Sequence, residues 1–466
     1  MSHSLIQNLQ NPKLYPHPVQ YFKVIETILS WVILTGSYAY KIKKPVNFGF
    51  LDFSKLSDRK YYCERELKFN RVLAGDIYLE VIPITGSESH PELNGTGVPI
   101  EYALKLVEFP QSMLFDELAK HGKLKLQYME DISEILANFH LKADRQSPPE
   151  LGTVEQVHEP VIQNFDQIRP LLHSKDGLIK IDQLQTWAQS QWEKWHDVLI
   201  NRKNEGFIRA CHGDIHLGNI ALINDIPVIF DCIEFNEPFR WTDTMADIAF
   251  LLMDLRDQKQ FEFENLLLNN YLEITGDYEG LNILPYYCAY RAMVRAKVNL
   301  FQYQDKNLDE AKKTETWNRF QKYIALAENY MKQSEPFLII THGLAATGKT
   351  TAAKKVALQT GAIQIRSDIE RKRLAGLERH AKTQSGLYAD LYHPDMTEKT
   401  YLHLRDLAKH ILQAGYSVIV DATFLSKAHR DLFINLTHKM KIPFYILECT
   451  ANQKHSELLK QRQANE

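Results

Sequence analysis

The spacing of apolar residues predicts a small sheet near the start of the chain. The stretches "WVILTG" (31–36) and "YAYKIKK" (38–44) favour two strands joined at Gly36 and Ser37, which is the pattern of a hairpin. Helical spacing follows at 59–74, and further strands are predicted at 77–84 and 101–109. Residues from about 20 to 110 therefore favour a sheet with one inserted helix.

From residue 111 to 335 the apolar positions recur mostly at helical spacing, as in 126–140 and 286–302. The stretch "FIRACHGDIHLGNIALINDIPVIFDCIEF" (207–235) departs from this pattern. It predicts two short apolar strands around a polar loop.

Beyond Pro336 the pattern changes to strands that alternate with helices. Apolar runs at 337–343, 362–368, 417–423 and 443–450 predict four strands of a parallel sheet with crossover helices. We therefore expect an α+β domain at 1–335, with an N-lobe at about 20–110 and a helical C-lobe at 111–335. An α/β domain at 336–466 follows it.

Composition narrows the classes of function. The net charge of -3 over 466 residues gives no global basic field, so neither nucleic acid nor a membrane surface is indicated as a partner. The five cysteines are scattered and show no C-x-x-C spacing, which favours reduced thiols. The N-terminus lacks the pattern of a signal peptide. We expect a cytoplasmic protein, and the sequence predicts no oligomeric state.

The polar loop carries the side chains that phosphoryl transfer from Mg-ATP needs. Asp214 is followed five residues later by Asn219, and Asp231 comes directly after an apolar strand. One carboxylate can take the proton of an acceptor hydroxyl, while an amide oxygen and a second carboxylate can hold magnesium. The alternative is a polar turn in which Asp214 and Asn219 form Asx turns. A turn accounts for one such residue better than for the whole spaced set.

The stretches "HGDIHLGN" (212–219) and "FDCIEF" (230–235) resemble the catalytic and metal motifs of aminoglycoside phosphotransferases, which have a protein-kinase-like fold. The resemblance implies Asp214 as the catalytic base and Asn219 and Asp231 as magnesium ligands. "DTMADIAF" (243–250) resembles the element that follows in that family. By that match Asp247 braces the catalytic loop.

The N-terminal sheet is expected to hold ATP. "YAYK" (38–41) matches the V-A-I-K strand of kinases, so Lys41 is our candidate for the lysine that contacts the α and β phosphates, with Lys43 on the same strand face as its competitor. Glu66 fits the acidic partner better than Glu64, because Leu73 lies seven residues on, as in the family. The alternative is a solvated, lysine-rich edge strand. Backbone groups of residues 108–110 are expected to meet adenine.

A second phosphate motif lies at "GLAATGKTT" (343–351), directly after a strand and before a helix. This is the P-loop pattern G-x-x-x-x-G-K-[ST] in its proper context. Gly343 and Gly348 let backbone N–H groups face phosphate oxygens, and Lys349 reaches the β and γ phosphates. Thr350 takes magnesium, and Thr351 completes the nucleotide-binding set.

Two further stretches belong with the P-loop. "SVIVDATF" (417–424) ends a buried strand in Asp421, like a Walker B acid, so Asp421 is a candidate metal ligand. "QIRSDIERKRL" (364–374) resembles P-loop kinases related to polynucleotide kinase and zeta toxin. The resemblance implies Asp368 as the acceptor base and Arg371 or Arg430 as a binder of substrate phosphate. Asp368 is also expected to cap its helix.

The usual lid of such kinases would follow residue 450, with Arg462 as its first arginine, so we expect this domain to be truncated at its C-terminus. The order of the two modules, together with "TGSYAYKIKKPVNFGFLDF" (35–53), resembles bacterial bifunctional aminoglycoside phosphotransferase and ATP-binding proteins. It implies an ATP- and Mg²⁺-dependent kinase for a hydroxyl of a small molecule. The alternative is an ATP-binding regulatory protein, in which the P-loop domain is a nucleotide switch.

Overall fold

The computed structural model describes residues 3–47, 51–332, 334–381 and 393–450. Contacts between residues divide the chain into two compact units. The first comprises Met1–Tyr128, Lys142–Val157 and Val198–Leu251, and the second Met129–Leu141, His158–Asp197 and Leu252–Glu466. The second unit combines helices that precede residue 335 with the sheet that follows it. The domain boundary at 335/336 stays a prediction.

Strands are found wherever the apolar runs predicted them. In chain order the strands are β1 (Lys23–Glu26), β2 (Ser30–Leu34), β3 (Tyr38–Lys43), β4 (Tyr78–Gly86), β5 (Pro91–Leu93), β6 (Glu101–Val107), β7 (Ile208–Ala210), β8 (Ile220–Ile223), β9 (Ile226–Ile229), β10 (Trp241–Asp243), β11 (Leu338–His342), β12 (Ile363–Arg366), β13 (Val418–Asp421) and β14 (Phe444–Glu448).

Helices fill most of the chain between β6 and β11, as predicted for residues 111–335. In chain order the α-helices are α1 (His3–Asn8), α2 (Leu56–Ala74), α3 (Phe115–Lys120), α4 (Leu126–Lys142), α5 (Val154–Ile168), α6 (Lys175–Lys194), α7 (His196–Asn204), α8 (Glu237–Arg240), α9 (Thr244–Asp257), α10 (Phe261–Thr275), α11 (Leu284–Tyr303), α12 (Glu310–Tyr330), α13 (Lys349–Thr360), α14 (Ser367–Leu374), α15 (Pro394–Gln413) and α16 (Lys427–Met440). In the described part of the chain, no helix has both the length and the apolar character needed to cross a bilayer.

The first unit contains an antiparallel sheet in the order β1-β2-β3-β6-β4-β5. The predicted hairpin is confirmed, since β2 pairs with β3 in the register Leu34↔Ala39. Its turn requires glycine at Gly36, where φ is 95° and an added Cβ would lie 2.7 Å from the Cβ of Gln20. The hairpin places Lys41 and Lys43 in the middle of the sheet.

Helix α2 lies against this sheet and gives it a polar inner face. Its buried residues are Arg59, Cys63, Glu66, Asn70 and Ala74, spaced by three or four positions along one side of the helix. Packing around Ala74 brings in Tyr78 and Leu104 of the sheet. The sequence places Glu66 and Asn70 on the inner side of a helix that is held against the lysine-bearing strands.

The polar stretch at 207–235 forms more strands than the two predicted. Strand β7 pairs with β10, while β8 and β9 form a separate hairpin. Asn224 and Asp225 form the tip of that hairpin at φ values of 50° and 61°, which the two-residue turn requires. The polar loop lies between β7 and β8. The sequence did not predict this turn, because "NDIP" (224–227) interrupts the apolar run only briefly.

The second unit contains the predicted parallel sheet, in the order β12-β13-β11-β14. All three of its strand pairings are parallel, which confirms the α/β assignment. Helix α13 connects β11 to β12 and packs through Ala353 and Ala357 against Ile419. Parallel strands end at one edge of the sheet, so the P-loop after β11 and the acidic end of β13 lie side by side.

A buried ion pair fixes the start of α9 in the first unit. The guanidinium of Arg202 donates through Nε and Nη2 to the two carboxylate oxygens of Asp243, each at 2.7 Å, and both side chains are fully buried. Asp243 Oδ1 also accepts from the backbone N–H of Met245. The pair therefore holds the first turn of the helix that carries Asp247.

We expect Arg202→Met to lower the free energy of unfolding by about 3–5 kcal/mol, because it leaves the carboxylate of Asp243 buried without its partner. Urea denaturation of the full chain measures this. Arg202→Met/Asp243→Asn should regain much of the loss, since asparagine is neutral and keeps the acceptor for Met245. The exposed pair Arg169–Asp182 gives the control: Arg169→Met should change the stability little. Equal effects of Arg202→Met and Arg169→Met would contradict the prediction.

Candidate functional site

A continuous line of ion pairs connects the sheet of the first unit to the segment after β9. Glu66 accepts from Lys41 Nζ at 2.8 Å and from Lys43 Nζ at 2.6 Å. Each lysine also reaches a second carboxylate. Lys41 Nζ lies 2.5 Å from Asp231 Oδ1, and Lys43 Nζ lies 2.5 Å from Glu234 Oε1. Glu66 is therefore shared by both lysines that the sequence offered.

The charge state of this cluster follows from burial and pairing. Burial alone would raise the pKa of Glu66, but Lys41 and Lys43 outweigh it and hold the pKa at about 2. Burial would lower the pKa of Lys41, yet the carboxylates of Asp231 and Glu66 hold it well above its ordinary value. Glu66 is thus a carboxylate and Lys41 an ammonium at neutral pH.

The two lysines differ in access to solvent. The Lys43 side chain is 3% exposed and pairs with buried carboxylates, whereas that of Lys41 is 18% exposed and pairs with Asp231, which is 41% exposed. Lys41 is therefore the lysine that a phosphate can approach. Glu64, the alternative acidic partner, is exposed and lies 3.7 Å from Lys60.

Two side chains that the sequence did not identify bind the backbone at Asp231 and Cys232. Its own N–H donates to the Tyr78 hydroxyl at 3.1 Å, and the next N–H, of Cys232, donates to Asn70 Oδ1 at 2.9 Å. Asn70 Nδ2 in turn donates to the carbonyl of Glu66 at 2.9 Å. Asp231 has a φ of 63°, a conformation that an aspartate adopts at a modest cost. The helix with Glu66 thus also orients Asp231.

The loop around Asp214 is built on a buried carboxylate. Asp247 accepts from the backbone N–H groups of His212 at 3.0 Å and Gly213 at 2.8 Å. The His212 ring contacts the carbonyl of Phe230 at 3.0 Å, and burial lowers the pKa of this histidine. A neutral imidazole donates to Phe230 and accepts from the N–H of Asp214 at 3.3 Å. This is the bracing role that the resemblance implied for Asp247.

Asn219 connects Asp214 to the metal side of the site. Its Nδ2 donates to the backbone carbonyl of Asp214 at 3.0 Å and to Oδ2 at 3.2 Å, so Oδ1 is the atom suited to a cation. Its carbonyl accepts from the N–H of Phe230, the residue before Asp231. Asn219 and Asp231 therefore flank the open end of the β8–β9 hairpin.

The turn between β2 and β3 is tied to the predicted adenine-binding segment, 108–110. Glu108 Oε2 accepts from the N–H groups of Thr35 at 2.9 Å and Gly36 at 2.7 Å. The backbone N–H of Glu108 donates to Ser37 at 3.0 Å. The side chain of Glu108, which the sequence did not single out, thus fixes the turn.

The P-loop in the second unit has the geometry that its glycines predict. Gly343 has a φ of 145°, and an added Cβ would lie 2.4 Å from the carbonyl oxygen of Cys449. Gly348 has a φ of 82° and precedes α13, which begins at Lys349. Lys349 Nζ donates to the carbonyl of Leu344 at 2.5 Å. Burial lowers the pKa of Lys349, although Asp421 attracts its charge.

Asp421 ends β13 beside the P-loop, as the sequence predicts for a Walker B acid. Its carboxylate accepts from Gln364 Nε2 at 3.1 Å and from Thr341 Oγ1 at 3.4 Å. Burial raises its pKa, while a hydrogen bond from Thr350 and the nearby Arg366 lower it. Thr350 and Asp421 are therefore in contact, as two ligands of one cation would be.

Asp368 does not cap helix α14. The helix begins at Ser367 with Arg366 as its N-cap residue, so the capping role predicted for Asp368 is wrong. Asp368 instead accepts from Arg366 Nη2 at 2.8 Å and is 54% exposed. Arg430 donates to the carbonyls of Phe424 and Leu425. Arg462 lies outside the described residues.

Solved structures with related folds share little sequence with this chain. A choline/ethanolamine kinase family protein from Mesorhizobium loti is 12% identical, with a TM-score of 0.41, over 70% of this chain and 98% of that one. An amicoumacin kinase in complex with AMP-PNP and Ca²⁺ is also 12% identical, with a TM-score of 0.44, over 70% of this chain and 94% of that one.

Curated relatives cover more of the chain. Uncharacterized proteins of Mycobacterium tuberculosis and Mycobacterium bovis are 29% identical to it over 415 residues, which is 88% of this chain and 80% of each relative. This similarity therefore extends across both predicted domains.

Two family models match the chain, one for each nucleotide motif. The model of the phosphotransferase enzyme family matches residues 61–284, which include the Asp214 loop and Asp231. The model of the AAA domain matches residues 338–466, which include the P-loop. The chain thus combines a segment that matches the phosphotransferase enzyme family, at 61–284, with a P-loop segment that matches the AAA domain, at 338–466.

Proposed function

We propose that this chain is a kinase that transfers the γ-phosphoryl group of ATP to a hydroxyl of a small molecule at the Asp214 site. The observation that carries the proposal is the convergence of Asn219 and Asp231 on one end of a hairpin, with Asp214 bonded to Asn219 and Lys41 to Asp231. A base, two hard oxygen ligands and a phosphate-binding cation are what this transfer requires.

In the proposed reaction, the acceptor oxygen forms a bond to the γ-phosphorus, the bond to the β,γ-bridging oxygen breaks, and ADP leaves. Asp214 takes the proton of the hydroxyl. Its side chain is 38% exposed and is oriented by Asn219, so it is both accessible and positioned. Lys41 neutralises phosphate oxygens while Glu66 holds its ammonium in place. Magnesium bound by Asn219 and Asp231 would supply further positive charge to the phosphates.

The oxygen donors fit magnesium, which prefers carboxylate and amide oxygens. The side chain of Asp231 is 41% exposed, so its carboxylate is accessible to a metal ion. A cytoplasmic location stays a prediction.

We further propose that the P-loop domain binds ATP and Mg²⁺ independently, through Gly343, Gly348, Lys349, Thr350 and Thr351, with Asp421 as a metal ligand. The contact between Thr350 and Asp421 supports this assignment. Asp368, which is half exposed at the start of α14, is the base that we propose for an acceptor there. The chain is then bifunctional, with two sites for phosphoryl transfer.

We expect Asp214→Asn to lower the turnover of the first site by a factor of about 10² to 10⁴, because the amide cannot take the acceptor proton. ATP binding should persist, since this residue acts on the acceptor. The assay follows labelled ATP with a metabolite extract and then with the acceptor identified from it. Asp225→Asn, the same change at the closed end of the β8–β9 hairpin, is the control and should leave turnover unchanged. Wild-type turnover in Asp214→Asn would remove this residue from the mechanism.

Lys41→Met and Lys43→Met should fail in different ways. Lys41→Met should weaken ATP binding at the first site roughly 10- to 100-fold, the value of a charge-assisted hydrogen bond. Lys43→Met should instead lower the free energy of unfolding by about 3–5 kcal/mol, because Glu66 and Glu234 remain buried without their shared partner. Calorimetry with ATP and urea denaturation separate the two effects. The roles of the lysines would be exchanged if Lys43→Met abolished binding in a fully stable protein.

We expect Lys349→Ala to remove one of two nucleotide sites from the full chain. The P-loop lysine supplies the charge on the β and γ phosphates, so its loss should weaken that site at least roughly tenfold. Calorimetry should show two sites in the wild type and one in the variant. Lys355→Ala, an exposed lysine of the same helix, is the control and should keep both. ATP binding without transfer of label in the wild type would favour the regulatory alternative.

A further inference from the structure

The edge strand of the P-loop sheet is covered by a helix from the preceding part of the chain. Strand β12 pairs on one side with β13, and on the other side it faces α10, within the same compact unit. Asn269 of α10 accepts from the backbone N–H of Gln364 at 2.7 Å and donates to the carbonyl of Ala362 at 3.2 Å. One side-chain amide thus satisfies the edge backbone as a neighbouring strand would.

The repeat distance along helix α10 is close to that along strand β12. Four residues along a helix rise about 6 Å, and two residues along a strand advance about 6.6 Å. Asn269 and Glu273 are four residues apart on α10, and their partners Gln364 and Arg366 are two residues apart on β12. Asn265 donates to the carbonyl of Leu358 at 2.8 Å, Asn269 contacts Gln364, and Glu273 reaches Arg366. Asn269 and Glu273 therefore follow β12, whereas Asn265 holds the last turn of α13.

The strand residues held by α10 are those that touch the candidate metal ligand Asp421 and the candidate base Asp368. Gln364 donates to Asp421 Oδ2 at 3.1 Å. Arg366 lies between two acids, with Nη1 3.5 Å from Glu273 Oε2 and Nη2 2.8 Å from Asp368 Oδ2. Glu273 also accepts from Arg373 through its backbone carbonyl at 2.6 Å. The carboxylate of Glu273 thus contacts Arg366, and Arg366 in turn contacts Asp368.

We propose that helix α10 is an integral part of the P-loop active site, in which Glu273 is a positioning residue that fixes Arg366 against Asp368. The proposal rests on the function proposed above for Asp368. Arg366 is held from both sides, so its guanidinium has a defined place, and Asp368, which is half exposed, takes its orientation from it. The phosphate-binding loop itself is built entirely by residues after 338 and does not depend on Glu273.

This separation gives the proposal a kinetic signature. The parent protein for these measurements carries Asp214→Asn, which should silence the first site. Lys349-dependent turnover is defined as the part of its rate of phosphate release from ATP that is lost when Lys349→Ala is added. We expect Glu273→Ala to lower the kcat of this turnover roughly 10- to 100-fold, the cost of a misplaced catalytic group. The KM for ATP and the melting temperature should stay close to those of the parent. Glu273→Gln should restore most of kcat, because its amide oxygen still accepts from Arg366.

Two further variants test whether Glu273 acts through Arg366. Arg366→Ala should lower kcat as Glu273→Ala does, and the double variant should be no slower than Arg366→Ala, since residues in one chain of contacts are not additive. Glu262→Ala, an exposed glutamate of the same helix, is the control and should leave kcat unchanged.

Four results would overturn the proposal. Full kcat in Glu273→Ala, or losses that add in the double variant, would show that Glu273 does not act on Asp368 through Arg366. A parallel fall of kcat, nucleotide binding and melting temperature in both Glu273 variants would assign α10 a purely structural role. A complete lack of Lys349-dependent turnover in the parent would refute the proposed activity of the second site, and this proposal with it.

Discussion

The first site depends on one buried carboxylate. Glu66 is fully buried, and a buried carboxylate is tolerated only when it is paired and hydrogen-bonded. Its two partners, Lys41 and Lys43, come from one strand, so the requirement fixes that strand against α2. Each lysine then holds a second acid, Asp231 or Glu234, in the segment after β9. The position of a candidate metal ligand is therefore set by the need to neutralise a charge elsewhere.

Much of this could be predicted because the chemistry lies in short contiguous stretches. Asp214, Asn219 and Asp231 are recognisable by type and spacing, and the P-loop by its glycines. The four strands of the second sheet were predicted because buried parallel strands are continuous apolar runs. The residues that orient these groups were not predicted. Tyr78 contacts the backbone of Asp231, and Asn70 that of Cys232, only because α2 and β4 pack beside this segment, and no periodicity in the sequence encodes these contacts.

The errors have physical causes of the same kind. The brief polar interruption at Asn224 and Asp225 conceals a hairpin, since two residues suffice for the turn. Aspartate is a common helix-capping residue, but α14 begins at Ser367, one residue before Asp368. The guanidinium of Arg366 binds the carboxylate of Asp368 instead. The contacts of α10 with β12 also follow from packing. A sequence boundary at Pro336 marks where the pattern changes, whereas the edge strand beyond it is completed by an earlier helix.

The two candidate lysines meet ATP in different electrostatic states. Lys41 is paired with Glu66 and Asp231, which hold its pKa well above the ordinary value, so a phosphate must share this cation with acids already in place. Lys349 donates to a backbone carbonyl, and its pKa is lowered by burial despite the attraction of Asp421. A triphosphate therefore supplies Lys349 with the negative charge that its own surroundings do not fully provide. At Lys41 the proposed phosphate must instead compete with two carboxylates for the ammonium. If both sites bind ATP as proposed, the triphosphate meets a lysine held by acids at the Asp214 site and a lysine held by a neutral carbonyl at the P-loop.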